Sequence, residues 1–261
     1  MIRWRTTLRG LQGGQALLRL TQIEFLKLRR RKLVWLMMLT ALFMPLLGIF
    51  YFSDSGVTAT DAMQFYKWSA FSYTLWIILP IVLGMFSTIL MYEENQNGML
   101  GQIWIIPVNK MQFFLSKFAV VMIYSVAFMI VTALVSVIAG TVIPSVGFDI
   151  NAVGFLFIKC LEIGILAAIA MLPILAITTV QKGYILPICI TLLYAFLGFV
   201  LLMVNMYLHP LSSVSAIVTH NIPGVVLPHE LNICAASISI IIWAVASLLL
   251  ANMALGKKSE V

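Results

Sequence analysis

The 261-residue sequence is 62% hydrophobic and only 10% charged, which is far more apolar side chain than a soluble domain of this length can bury, so lipid must take up the surplus. The net charge of +7 does not point to nucleic acid, because nine of the sixteen basic residues fall within the first 32 positions, ahead of the first apolar block; that placement is a membrane-topology signal. Cys160, Cys189 and Cys234 lie in or beside apolar runs with no CxxC and no histidine at ligand spacing, which excludes a disulfide framework or a metal site and leaves them as small apolar fillers.

In chain order, the first element is the basic stretch QALLRLTQIEFLKLRRRK over residues 15–32. Leucines and aromatics mixed with cations suit a helix lying among lipid headgroups, or simply a positive-inside anchor; its apolar residues do not form one narrow stripe. Glu24 is the acidic exception, placed to pair with Lys27 at i,i+3 or to face a neighbouring helix. The following apolar run is too long for a signal-peptide core and has no cleavage site after it, so it is expected to remain as a spanning helix.

Six apolar runs are long enough to cross the roughly 30 Å hydrocarbon core as helices, at residues 33–52, 70–92, 118–140, 153–180, 184–206 and 233–255. They are apolar on all sides, unlike the alternating strands of a barrel, so the expected class is all-α and polytopic, one transmembrane domain over 1–261 with 1–32 as tail and interfacial helix. With six spans, fourteen Lys and Arg residues share the side of both termini, against Lys67 and Lys159 elsewhere. The positive-inside rule then puts both termini in the cytoplasm.

Between the second and third spans lies the inner loop YEENQNGMLGQIWIIPVNKMQFFLSK. Glu93 and Glu94 suit the first turn of a short helix, and Met99, Leu100, Ile103, Trp104 and Ile105 form an apolar cluster that suits either a partner's groove or the chain's own spans. Pro107 ends the helix, and Lys110 and Lys117 return the chain to the membrane surface. In the fourth span Lys159 and Glu162 stand three apart, as a self-neutralising pair or as an exit-path or subunit-contact element. Pro80, Pro173 and Pro187 are placed to kink spans, and Gly84, Gly164 and Gly198 to permit close helix contacts. The outer segment YLHPLSSVSAIVTHNIPGVVLPHELN over 207–232 reads either as an ordinary loop or as short helices re-entering the bilayer, the latter being expected from its apolar stretch. His209, His220 and His229 are spaced too widely for a metal site.

The order of a basic EFLKLRRRK helix, two spans, then the inner loop resembles the type-2 ABC exporter permeases. The residues that carry the resemblance are Glu94, Gly98, Met99, Leu100, Pro107, Lys110 and Lys117, with Glu24 and Lys27 matching an amino-terminal interfacial helix. Met99 stands where that class often has Thr. The compact size resembles the small permeases of lantibiotic immunity and bacitracin resistance.

The resemblance implies a coupling helix, carried by Glu94, Asn97, Gly98, Met99, Leu100, Ile103, Trp104 and Pro107, seated on a separate ATP-binding subunit. It also implies an interfacial or gate helix with Glu24, Lys27 and Arg30. The chain carries no phosphate-cradling G-x-x-x-x-G-K-[S/T], so no cofactor is expected on it; ATP and Mg would sit on a partner ATPase dimer, working with a second permease chain in a bacterial cell membrane. The expected function is ATP-driven export of an antimicrobial peptide or other amphipathic toxin. An ion-coupled secondary transporter is the alternative, although the inverted repeats and midplane binding elements it would call for are not evident. An intramembrane enzyme would need a nucleophile and base at recognisable spacing, and none is found.

Overall fold

The computed structural model describes residues 13–29, 31–54, 61–96, 110–144, 146–181, 183–220, 222 and 232–257. Among them six helical stretches are long and apolar enough to cross a membrane: Lys32–Ser53, Ala62–Tyr92, Lys110–Val142, Ile150–Val180, Ile185–Val204 and Ile233–Gly256. Two further helices complete the described fold, an amino-terminal one over Gly13–Arg29 and a short one over Pro210–His220. The expected all-α class with six spans is what the structure has.

Consecutive spans run antiparallel. Leu90, Lys117 and Glu24 meet at one end, the basic end, together with Tyr92 against Tyr184. At the far end Phe52 packs on Phe65, and Asn232 donates its backbone N–H to the Tyr207 hydroxyl. The second and fourth spans are central, with 67% of their most apolar stretch buried, whereas the sixth, at 22%, mostly faces outward. The third span packs along the fourth and also carries the amino-terminal helix.

The helices outrun the hydropathy at two places. The second begins at Ala62 rather than near 70, where Asp61 caps it by accepting from the Met63 N–H and Phe65 and Tyr66 are wholly covered. The third begins at Lys110 rather than near 118, because its polar first turns are buried under the amino-terminal helix. Hydropathy marks what lipid can solvate, and these turns are solvated by protein.

Prolines set the irregularities. A proline cannot donate to the carbonyl four residues earlier and crowds it. Ahead of Pro45 the first span tightens to a 3-10 turn over Thr40–Leu42. Ahead of Pro80 the second span widens to π turns over Lys67–Phe71 and Thr74–Ile78. Next to Pro173 the fourth span breaks at Met171. Pro187 makes no kink, since it lies in the first turn of Ile185–Val204, where no intrahelical donor is lost.

The expected close contacts at glycines are present. A Cβ on Gly164 would stand 3.0 Å from the Val126 backbone Cα, and the Ser125 hydroxyl donates to the Gly164 carbonyl at 2.7 Å. Gly84 fits against Thr191, and a Cβ on Gly198 would stand 2.8 Å from Leu211 Cβ. Of the cysteines, Cys160 is a buried filler as expected, but Cys189 and Cys234 are exposed on the outside of the bundle. A small apolar thiol is equally at home against lipid.

Gly164→Val should therefore force the third and fourth spans apart and lower unfolding stability in detergent by about 1–3 kcal/mol. Gly154→Val, with nothing within 4 Å of the added Cβ, should leave it nearly unchanged. Equal thermal shifts for the two variants would show that the helix contact is not tight.

Candidate functional site

At the basic end a lysine ammonium has been drawn out of water. Lys117, one turn below Phe113 on the third span, is fully buried, and its ammonium sits 5.2 Å from the Phe113 ring centre. It donates to Glu24 Oε2 at 2.6 Å and to the Leu90 carbonyl at 3.3 Å. The other Glu24 oxygen, Oε1, accepts from Lys27 at 2.9 Å. One carboxylate thus lies between two ammonium groups, the geometry in which a buried ion pair is worth keeping.

Burial of Glu24 works to raise its carboxyl, but the charges and hydrogen bonds of Lys117 and Lys27 outweigh that and hold it below the ordinary 4.5. Three parts of the chain meet here. Leu90 belongs to the second span, whose helix runs on to Gln96, and Lys117 to the third, whose helix starts at Lys110. One ammonium therefore ties both stems of the inner loop to the amino-terminal helix.

The sequence reading offered two partners for Glu24, Lys27 or a neighbouring helix, and the structure uses both. It did not pair Glu24 with Lys117, because the two are 93 residues apart and nothing in periodicity links them. The loop residues lie largely outside the description. Glu94 is helical in backbone, but its side chain, and Asn97, Gly98, Met99, Leu100, Ile103, Trp104, Pro107 and Arg30 altogether, fall outside the described residues.

A second buried ammonium lies toward the far end. Lys159 donates to Glu162 at 2.7 Å, as its i,i+3 spacing implied, with the Phe155 ring 6.0 Å away. It also reaches the Val218 carbonyl at 3.4 Å, a partner the sequence did not reveal. Val218 is in the last turn of Pro210–His220, where helix carbonyls are unpaired and the dipole is negative. Lys159 stands about 13 Å along the helix from Ile150, at 1.5 Å per residue.

The short helix is buried over nearly all its length, between the fourth, fifth and sixth spans. Its polar side chains turn inward onto backbone: Ser212 and Ser213 donate to the Met206 carbonyl, Ser215 to Leu211, and Thr219 to Ser215. His209 Nδ1 accepts from the Leu211 N–H at 3.2 Å, so the ring is held in its neutral Nε2–H form against Tyr194. Residues 223–231 of the expected outer segment, His229 among them, lie outside the described residues.

Over residues 20–198, from the amino-terminal helix through most of the fifth span, the sequence matches the family described as ABC-2 family transporter protein. The chain belongs to that family. No curated protein matches it. As an ABC-2 permease it is a multi-pass membrane component of a transporter and not itself the catalyst; the family works with a partner ABC ATPase, and lipid surrounds it. The matched stretch holds both buried ammonium groups and ends before the short helix that Lys159 contacts.

Replacing Lys117 by Met should destabilise this permease by about 3–5 kcal/mol, because Glu24 is left buried with one partner fewer. Changing Glu24 to Gln as well should recover part of the loss, which thermal unfolding of the single and double variants would measure. The pH dependence has a fixed sign. A carboxyl held below 4.5 when folded contributes stability that is complete above 4.5 and is lost as pH falls through the lower folded value. The gap in melting temperature between the parent and Glu24→Gln should therefore be constant from pH 7 to 5 and close at more acid pH.

At the other ammonium, Lys159→Met should expose the short helix, and a cysteine placed at buried Ser215 should react faster with a membrane-permeant maleimide. Unchanged labelling would mean that packing alone holds that helix.

Proposed function

We propose that the chain is the permease subunit of an ATP-driven exporter that clears an antimicrobial peptide or a similar amphipathic toxin from a bacterial cell membrane, as in lantibiotic immunity or bacitracin resistance. Two permease chains, identical or related, work with two ATPase subunits that carry ATP and Mg. Both termini are cytoplasmic, in keeping with the fourteen basic residues on that side. Pro210–His220 is a re-entrant helix on the outer side.

The observation that carries the reading is the Lys117 knot. The inner loop between the second and third spans is the coupling element, with Glu94, Asn97, Gly98, Met99, Leu100, Ile103, Trp104 and Pro107 as its contacts to the ATPase. Both stems of that loop, through Leu90 and Lys117, are held to Glu24. Movement of the loop as the ATPases close is therefore delivered to the second span, the third span and the amino-terminal gate helix together, with Glu24, Lys27 and Arg30 at the joint. A loop whose stems were free of each other would lose that motion in local bending. The pair of Lys159 and Glu162 stands nearer the outer side, on the exit half of the path, where it positions the re-entrant helix.

The test is co-purification of the tagged chain with its ATPase in mild detergent, combined with resistance of expressing cells to cationic amphipathic peptides and bacitracin. Recovery of a P-loop ATPase, its loss on replacing Gly98, Met99 and Leu100 together, and a parallel loss of resistance are expected. Normal ATP-dependent export by that triple variant would remove the coupling role. Export driven by an ion gradient without any ATPase would favour a secondary transporter, and unchanged peptide sensitivity would remove the substrate class.

A further inference from the structure

We propose that the elbow between the amino-terminal helix and the first span is a binding site for an anionic phospholipid. The two helices are joined by the run Arg29, Arg30, Arg31 and Lys32. Arg29, Arg31 and Lys32 are exposed there. The amino-terminal helix turns Leu18 and Leu26, each 64% exposed, outward among its cations, as a helix resting on a bilayer surface does.

Directly below the cations, toward the membrane interior, two apolar grooves flank the start of the first span. One, of about 680 Å³, lies between the first and third spans, with Lys32 at its mouth and Trp35, Leu36, Leu39 and Val131 along it. The other, of about 450 Å³, has Arg31 at its mouth and runs between Leu33 and the Met85 side of the second span. Leu33 lines both. The Trp35 indole N–H reaches the Arg29 carbonyl at 3.4 Å, which puts the ring at the boundary between the cations and the first groove, where Trp is favoured.

Cations at headgroup depth over apolar slots match a phosphate-bearing headgroup over acyl chains. The run of four consecutive cations beside a span selects a lipid of net negative charge over a zwitterionic one. A second copy of the chain is a poor occupant of the same face, since a two-fold contact there would bring two such runs together.

Trp35 reports on the site. The full chain is reconstituted in phosphatidylcholine vesicles containing increasing mole fractions of brominated phosphatidylglycerol or brominated phosphatidylcholine, and the Trp35 signal is taken as the difference from Trp35→Phe. Quenching should reach half-maximum at several-fold lower mole fraction with the glycerol lipid. That preference should be largely lost when both cations are removed by Arg31→Gln and Lys32→Gln, persist in Arg31→Lys, and weaken at high salt in the unchanged protein.

Superimposable curves for the two lipids, or a preference that survives both the double Gln change and high salt, would overturn the proposal. So would a Trp35 signal that neither lipid quenches, which would mean that protein fills the groove.

Discussion

Hydrocarbon offers no partner for a backbone amide or a hydroxyl, and that single deficit organises this molecule. It makes every span helical, and it turns many of the buried hydroxyls back on their own helix: Thr88 to the Gly84 carbonyl, Thr132 to Phe128, Thr191 to Pro187, Ser247 to Trp243. Other hydroxyls are spent between helices. Ser125 donates to Gly164 across the gap between the third and fourth spans, Tyr124 to the Val34 carbonyl, and Tyr194 to the Ala170 carbonyl at the break beside Pro173. Where a proline or a close contact interferes with a helix's own ladder, a neighbour's donor is at hand.

The same deficit makes a buried ammonium expensive, and the chain handles its two cases alike. Lys117 and Lys159 each follow a phenylalanine by one turn, each meets one carboxylate at 2.6 or 2.7 Å, and each takes a carbonyl from another element at 3.3 or 3.4 Å. In both places the ammonium fastens a helix that is not itself one of the six spans. The amino-terminal helix is fixed through Glu24 at the basic end, and the short helix Pro210–His220 through Val218 toward the far end. The carboxylate comes from the fastened helix in one case and from the lysine's own helix in the other. Removing the lysine is therefore more disruptive at the first, where the pair itself is the fastening.

How much of this could be read in advance follows from the range of each interaction. Hydropathy is a local sum, so the six spans and the Lys159 to Glu162 spacing were visible, as were the small residues at positions 84, 164 and 198. The early starts of the second and third helices were not, because Phe65, Ser116 and Lys117 are covered by elements distant in sequence. The same holds for the two carbonyls that complete the lysine shells, since Leu90 and Val218 offer backbone atoms that no side-chain pattern announces. Pro80 and Pro173 flagged breaks, but not their form: the two π segments ahead of Pro80 depend on what packs around the helix, and the 3-10 turn ahead of Pro45 was not anticipated. Pro187 shows the converse, a proline without a kink because of its position in the helix.

The distribution of stiffness in the second span bears on any coupling role for residues 93–109. Its basic end is continuous α-helix over Leu79–Gln96, stacked through Phe86 on Tyr124 at 4.1 Å and bonded at Leu90 to Lys117. Its π-widened portion ends at Ile78, a dozen residues short of that bond. A displacement entering at the loop would thus travel through the rigid portion and the Lys117 knot before reaching the turns whose ladder is already loosened. There Trp76 meets the Phe199 ring 5.8 Å away on the fifth span. The π-widened section of the second span thus lies toward the side of the bundle that holds the short helix, and its regular α-helical section on the side of the inner loop.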